Sequence, residues 1–168
     1  MPPSNSRRRL LAALGATATT ALAGCSNLTG SDDPPAGSLR FENRHSVPHS
    51  IRVAVADVGA RPGDGPGAVQ GEPDQPVRES QRTLTATDTV DPGETARYER
   101  VFTAPVWYGV RFRLDGDRPE DGRGAVAFGP APENDADEQG SFLDIGVSET
   151  GGFTWVVAST DDPGPFRG

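Results

Sequence analysis

Apolar and polar residues alternate with a period of two along most of the chain from residue 39 to about residue 160. "HSIRVAVADV" places Ile51, Val53 and Val55 on one side of an extended segment, and "VWYGVRFRLDG" places Arg111 and Arg113 opposite its aromatic and aliphatic residues. β-Branched and aromatic residues at this spacing are typical of strands that bury one face. No segment shows helical periodicity with caps. The pattern therefore predicts an all-β domain.

The segments between the predicted strands have the composition of turns. "DPGE" at residues 91–94 and "LDGD" at residues 114–117 supply residues that suit tight turns. Two longer connections stand out: residues 58–80 are almost free of apolar residues, and residues 129–140 are acidic. Loops of this length are functional or mobile. About eight strands at this spacing predict an antiparallel β-sandwich. The missing helices exclude a parallel α/β sheet.

The first residues, "MPPSNSRRRLLAALGATATTALAGCS", predict an export signal. Three arginines precede residues 10–23, which carry no charge and end in small residues. This apolar run is shorter than the roughly 20 residues that cross a bilayer. "SRRRLL" resembles the twin-arginine export signal, with Arg7 and Arg8 as its pair.

The only cysteine of the chain, Cys25, follows Leu22, Ala23 and Gly24. "LAGC" resembles the lipobox of exported lipoproteins, which implies cleavage before Cys25 and a thioether-linked lipid on its sulfur. Alkylation at this position requires a thiol, since the thiolate is the nucleophile. Two lipid chains on one residue hold a small domain stably on a membrane. The alternative is a free thiol after an alanine-rich segment.

These features divide the chain into four parts: a signal peptide at residues 1–24, a lipid-anchored flexible tether at 25–37, the β-sandwich at 38–160 and a disordered tail at 161–168. The tether is rich in Gly, Pro, Ser and Asp, as flexible linkers are. It contains the glycosylation sequon at Asn27, whose use the sequence leaves open. With one cysteine, the domain has no internal disulfide.

The charge of the chain argues against nucleic acid as a partner. All 16 basic residues are arginine. After loss of the signal peptide the chain would contain 13 arginines and 24 acidic residues, which gives a formal charge of −11. Phosphate backbones require clustered positive charge. The acid excess has two interpretations, ordinary solubility or adaptation to brine, where the Debye length is about 3 Å.

Several motifs resemble proteins of halophilic archaea. "LRFENRHSVPHSIRVAVADVG" and "DTVDPGETARYERVF" resemble small Ig-like β-sandwich domains on haloarchaeal surface proteins, through Asn43, the pair Pro48 and His49, and the turn at residues 92–94. Together with the export signal and lipobox, the chain resembles a haloarchaeal lipoprotein exported by the twin-arginine pathway. The resemblance supports the fold and carries over no activity or site residue.

The two histidines, His45 and His49, are the candidate metal ligands, with a carboxylate such as Glu42 or Asp57. They lie at a strand–turn–strand junction, so helical spacing does not apply to them. A blue-copper site needs a Cys and usually a Met within the sandwich, and the chain has neither there. "PENDADE" at residues 132–138 has alternating acids but lacks the full pattern of a calcium loop, so we expect a solvated loop.

No pattern predicts catalysis. The chain has no G-x-S-x-G elbow and no lysine, so we expect neither an enzyme nor a cofactor. Trp107 is predicted to point outward, either to anchor a partner or to pack beneath the loop at residues 58–80. We predict a binding or structural module anchored at the extracytoplasmic face of the cell membrane. Its partner is an envelope protein or an extracellular solute. The alternative is a metal-binding protein or metal-dependent enzyme that uses His45 and His49.

Overall fold

The computed structural model describes residues 33–120, 122–131 and 139–166. The described residues form ten strands, one short α-helix and a terminal 3-10 helix. In chain order they are β1 Leu39–Asn43, β2 His49–Gly59, β3 Arg61–Pro62, β4 Val69–Gln70, α1 Glu79–Arg82, β5 Thr85–Val90, β6 Thr95–Tyr98, β7 Trp107–Leu114, β8 Ala125–Phe128, β9 Gly140–Val147, β10 Phe153–Thr160 and the 3-10 helix Gly164–Phe166. No helix among these residues has the length and apolarity needed to cross a membrane.

Eight of these strands build two packed sheets. The first sheet has the order β10-β9-β1-β6 and the second sheet the order β5-β2-β7-β8. All neighbours are antiparallel except β1 and β9, which run parallel. The prediction of an all-β sandwich is confirmed, and the two main sheets account for the predicted number of strands. The remaining strands, β3 and β4, pair with each other outside the two sheets.

The core lies between the two sheets and uses the inward residues that the alternation indicates. Ile51 and Val53 of β2 are fully buried, while Arg52 between them is exposed. On β7, Val110 and Phe112 are buried and their arginine neighbours face solvent. Burial of one such side chain stabilises the fold by about 1.5–3 kcal/mol. The exposed side of these two strands therefore carries the arginines.

Residues 58–80 are more ordered than their composition indicates. A β-bulge between Val55 and Asp57 shifts the register of β2 against β7, so Val58 points into the core. Beyond β2, the β3–β4 hairpin folds back over the second sheet, where Gly67 lies against Ala125 and a Cβ on Gly109 would be 2.6 Å from the Gly67 carbonyl oxygen. Glycine at both positions permits this close approach.

The packed structure extends beyond both predicted limits of the domain. Ala36 and Gly37, predicted to belong to the flexible tether, are buried, and the amide of Ala36 donates to the Asp162 carbonyl over 2.9 Å. In the predicted tail, Phe166 lies against Gly37. Within the described part of the chain, residues 36–37 and residues 162–166 are therefore part of the packed structure. The correction arises because glycine and proline composition cannot distinguish a free linker from an irregular segment that forms tertiary hydrogen bonds.

Trp107 begins the inner strand β7, and Trp155 lies on the edge strand β10. Trp107 is half-buried at the start of β7 and contacts Gly129; with Ala60, Arg61 and Pro62 it lines one shallow depression. This arrangement agrees with packing against the 58–80 segment. Trp155 is partly buried against Phe112, and its indole N–H donates to the Arg123 carbonyl over 3.0 Å.

Candidate functional site

The residues of the predicted export signal and anchor lie outside the described part of the chain. These are Arg7, Arg8, Leu22, Ala23, Gly24 and Cys25. The sequon at Asn27 and the acidic segment at residues 132–138 lie outside it as well. Their interpretation continues to rest on the sequence.

The two histidines meet at one end of the sandwich. The His45 and His49 rings stack with centroids 5.0 Å apart, and His45 Nδ1 is 2.7 Å from His49 Nε2. The other nitrogen of His49, Nδ1, is 2.6 Å from Oδ2 of Asp115. If both rings are neutral, His49 donates to Asp115 and His45 donates to His49. This leaves His45 Nε2 as the one imidazole nitrogen of the pair outside the array.

Two residues hold this array in place. Asn43 is fully buried; its amide donates to the carbonyls of Val47 and Val90, and its Oδ1 accepts from the His45 amide. Asn43 thus shapes the turn between β1 and β2. Asp115 and Gly116 form the turn that follows β7, and their φ angles are 52° and 91°. Left-handed conformations at both positions are typical of a two-residue hairpin turn.

The carboxylate beside the histidines is not one that the sequence suggested. Glu42 bonds to Arg44 at 2.9 Å, and Asp57 accepts from the Val58 amide. The carboxylate that contacts His49 is that of Asp115, which lies 66 residues further along the chain. No group of three His, Cys, Asp or Glu side chains within the described ranges is placed to hold a metal ion. Because both ring nitrogens of His49 are already hydrogen-bonded, a metal bound by both histidines would have to displace His45 or Asp115 from His49.

The pKa of Asp115 reflects this setting. Partial burial acts to raise the pKa, but the amide of Ser50 and the side chain of His49 both donate to the carboxylate and lower it below its ordinary value. Asp115 therefore remains an anion at neutral pH.

A second feature, which we call the arginine groove, lies on the outer face of the second sheet. It is an open groove of about 680 Å³, and its polar lining includes Arg52, Arg111, Arg113, Arg118, Ser50 and Thr87. All four arginines are exposed. Within the described residues none of them forms an ion pair with a carboxylate. The groove is a cationic surface on an acidic chain.

Small residues make the groove concave. Arg111 is opposite Ala54 on β2 and opposite Ala125 on β8, so no long side chain on either neighbouring strand covers it. Gly124, also in the lining, permits the close approach of Arg118, because a Cβ there would be 2.7 Å from Nε of that arginine.

The alternation along the chain predicts that Arg52, Arg111 and Arg113 face outward, but it does not predict that they are close to one another. Alternation shows which face of its own strand a residue occupies, whereas the pairing of β2 with β7 determines which arginines are neighbours. The available signal was the repetition of outward arginines on two strands.

Comparison of the chain with profiles of protein families, with curated proteins and with solved structures gives no match.

Proposed function

We propose that this chain is an extracytoplasmic lipoprotein, anchored to the membrane through lipid on Cys25, that acts as a binding module at the cell surface. The observation that supports binding most directly is the arginine groove. An acidic protein that places four arginines around one groove without carboxylate partners among the described residues presents a surface suited to a ligand.

The anchor is supported by three sequence features in the correct order. The arginine pair, the uncharged run at residues 10–23 and the lipobox ending at Cys25 all precede the sandwich. Eight residues separate Cys25 from Pro34, the first buried residue among those described, and a chain of that length spans at most about 30 Å when fully extended. The sandwich would therefore remain close to the membrane.

The mass of the N-terminal peptide tests the anchor. The full chain, its Cys25→Ser variant and a neighbouring control, Ser26→Ala, are expressed in a haloarchaeal host and the membrane fraction is digested. We expect a peptide that begins at lipid-modified Cys25 in the wild type and the control, and its loss in Cys25→Ser. An unmodified cytosolic chain that begins at Met1 would overturn the proposal.

A further inference from the structure

We propose that the arginine groove binds a ligand carrying two or more phosphate groups. This inference rests on the proposed function as a binding module and names the chemical class of its ligand.

The register of the second sheet places like charges directly against each other. Arg52 on β2 is opposite Arg113 on β7, and Arg111 lies two residues away on the same face of β7. Directly opposed like charges on neighbouring strands destabilise a sheet. Within the described residues no carboxylate pairs with these three side chains. A bound polyanion would supply the missing negative charge.

Part of the groove is already ordered. Arg113 donates from a terminal guanidinium nitrogen to the Gly116 carbonyl over 2.8 Å, so the hairpin turn of β7 orients it. Arg118 lies against Gly124. Side chains held before binding lose less conformational entropy when a ligand arrives. The hydroxyl-bearing residues Ser50 and Thr87 complete the polar lining.

The arrangement favours phosphate over carboxylate. A guanidinium fork matches either group through two parallel hydrogen bonds. The two oxygens of a carboxylate lie in one plane and suit one fork, whereas the tetrahedral phosphate directs oxygens toward donors that approach from different strands. The groove brings together arginines from β2, from β7 and from the segment after it. Its volume of about 680 Å³ is in the range of sites for whole small ligands, which favours a ligand with several phosphates.

Isothermal titration calorimetry on the full chain carrying Cys25→Ser tests this inference, with tripolyphosphate as the probe and circular dichroism to confirm folding at each salt concentration. We expect Arg52→Gln and Arg113→Gln each to weaken binding by about tenfold or more. Arg52→Lys should also weaken it, because lysine keeps the charge and lacks the fork. The matched control, Arg78→Gln, removes an exposed arginine before α1 and should bind as the parent does.

A stability measurement separates binding from misfolding. Without ligand, Arg52→Gln should raise the midpoint of thermal unfolding, since it removes the opposed charge of Arg113. Weaker binding together with equal or higher stability would support the inference. Absence of tripolyphosphate binding in the parent, or equal binding by the Arg52→Gln and Arg78→Gln variants, would overturn it.

Further probes identify the source of the phosphate. Sedimentation with phosphatidylglycerol vesicles but not phosphatidylcholine vesicles, lost in Arg52→Gln, would support lipid headgroups as the source, and tripolyphosphate binding without sedimentation would support a soluble ligand. Sulfate or citrate bound as tightly as tripolyphosphate would overturn the assignment to phosphate. If no phosphate probe binds but the N-terminal peptide shows lipid on Cys25, the inference about the ligand fails and the proposal of a membrane-anchored lipoprotein stands.

Discussion

At the scale of single residues, both tyrosines of the chain are removed from ordinary solvent. Burial raises the pKa of Tyr98 to about 12, and its hydrogen bond to Asp88 adds to this effect. Burial likewise raises the pKa of Tyr108 to about 12, and its hydroxyl donates to Gln81 over 2.7 Å. The chain has only these two tyrosines, so their titration can be followed without interference.

We predict that the folded protein shows no tyrosinate absorbance step near pH 10, the value for an exposed tyrosine, and that ionisation occurs near pH 12. Because the folded pKa is raised, the stabilisation from each tyrosine is complete below about pH 10 and is lost between about pH 10 and pH 12. Spectrophotometric titration of the native chain, of Tyr98→Phe and of the urea-unfolded chain measures this. A native step near pH 10 would contradict the described burial.

At the scale of elements, Asp115 has two roles in the turn after β7: its backbone adopts the conformation that the turn requires, and its carboxylate forms hydrogen bonds to β2. Its left-handed φ of 52° suits a short polar residue, and its carboxylate accepts from the Ser50 amide and contacts His49. The turn thus ties β7 to the start of β2 and presents Gly116 to Arg113.

We predict that Asp115→Asn lowers the free energy of unfolding at pH 7 by up to about 1 kcal/mol, a small value because half of the side chain is exposed. The folded pKa of Asp115 is lowered, so the difference from wild type is present above about pH 4 and disappears as pH falls through the folded pKa. Urea unfolding from pH 7 to pH 2 measures it.

Asp115→Gly is the matched control for the backbone, because glycine accepts positive φ without the carboxylate. Asp115→Ala should be the least stable of the three variants, since it loses the carboxylate and also places a Cβ in the left-handed region. A pH-independent difference between wild type and Asp115→Asn would show that the charge is not responsible.

Residues 36–37, before β1, and residues 162–166, after β10, contact each other. We predict that deletion of residues 161–168 lowers the thermal midpoint by several degrees, because it removes the Asp162 carbonyl that pairs with Ala36 and the Phe166 ring beside Gly37. Deletion of residues 167–168 alone is the control and should change the midpoint little. Scanning calorimetry of the three chains compares them. An unchanged midpoint in the longer deletion would restore the interpretation of this segment as a free tail.

At the scale of the whole molecule, the acid excess opposes folding through self-repulsion at low salt. We predict that the thermal midpoint rises between 0.1 M and 2 M KCl, as the Debye length falls from about 10 Å to about 2–3 Å. Arg78→Gln, which makes the chain more negative, should lower the midpoint at low salt and have little effect at high salt. A midpoint that is constant or falls with salt would contradict adaptation to brine.

The sequence by itself determined the fold class and the face on which most strand residues lie, except beyond the bulge in β2. It did so because alternation between core and solvent is a local property of an extended chain, as at Ile51 and Arg52. The turns at residues 91–94 and 114–117 could also be predicted from the sequence, since the φ preference of each residue is a local property. The predicted anchor at Cys25 is local in the same sense and still rests on the sequence.

Only the tertiary structure decided which distant residues meet. The pairing of β2 with β7 brings Arg52 against Arg113 and brings Asp115 to His49, and neither juxtaposition follows from spacing along the chain. The sequence pointed to Glu42 and Asp57 because they are near His45 and His49 in the chain. Strand register is set by packing of the whole core, so the neighbours of a surface residue depend on interactions that its own segment does not contain.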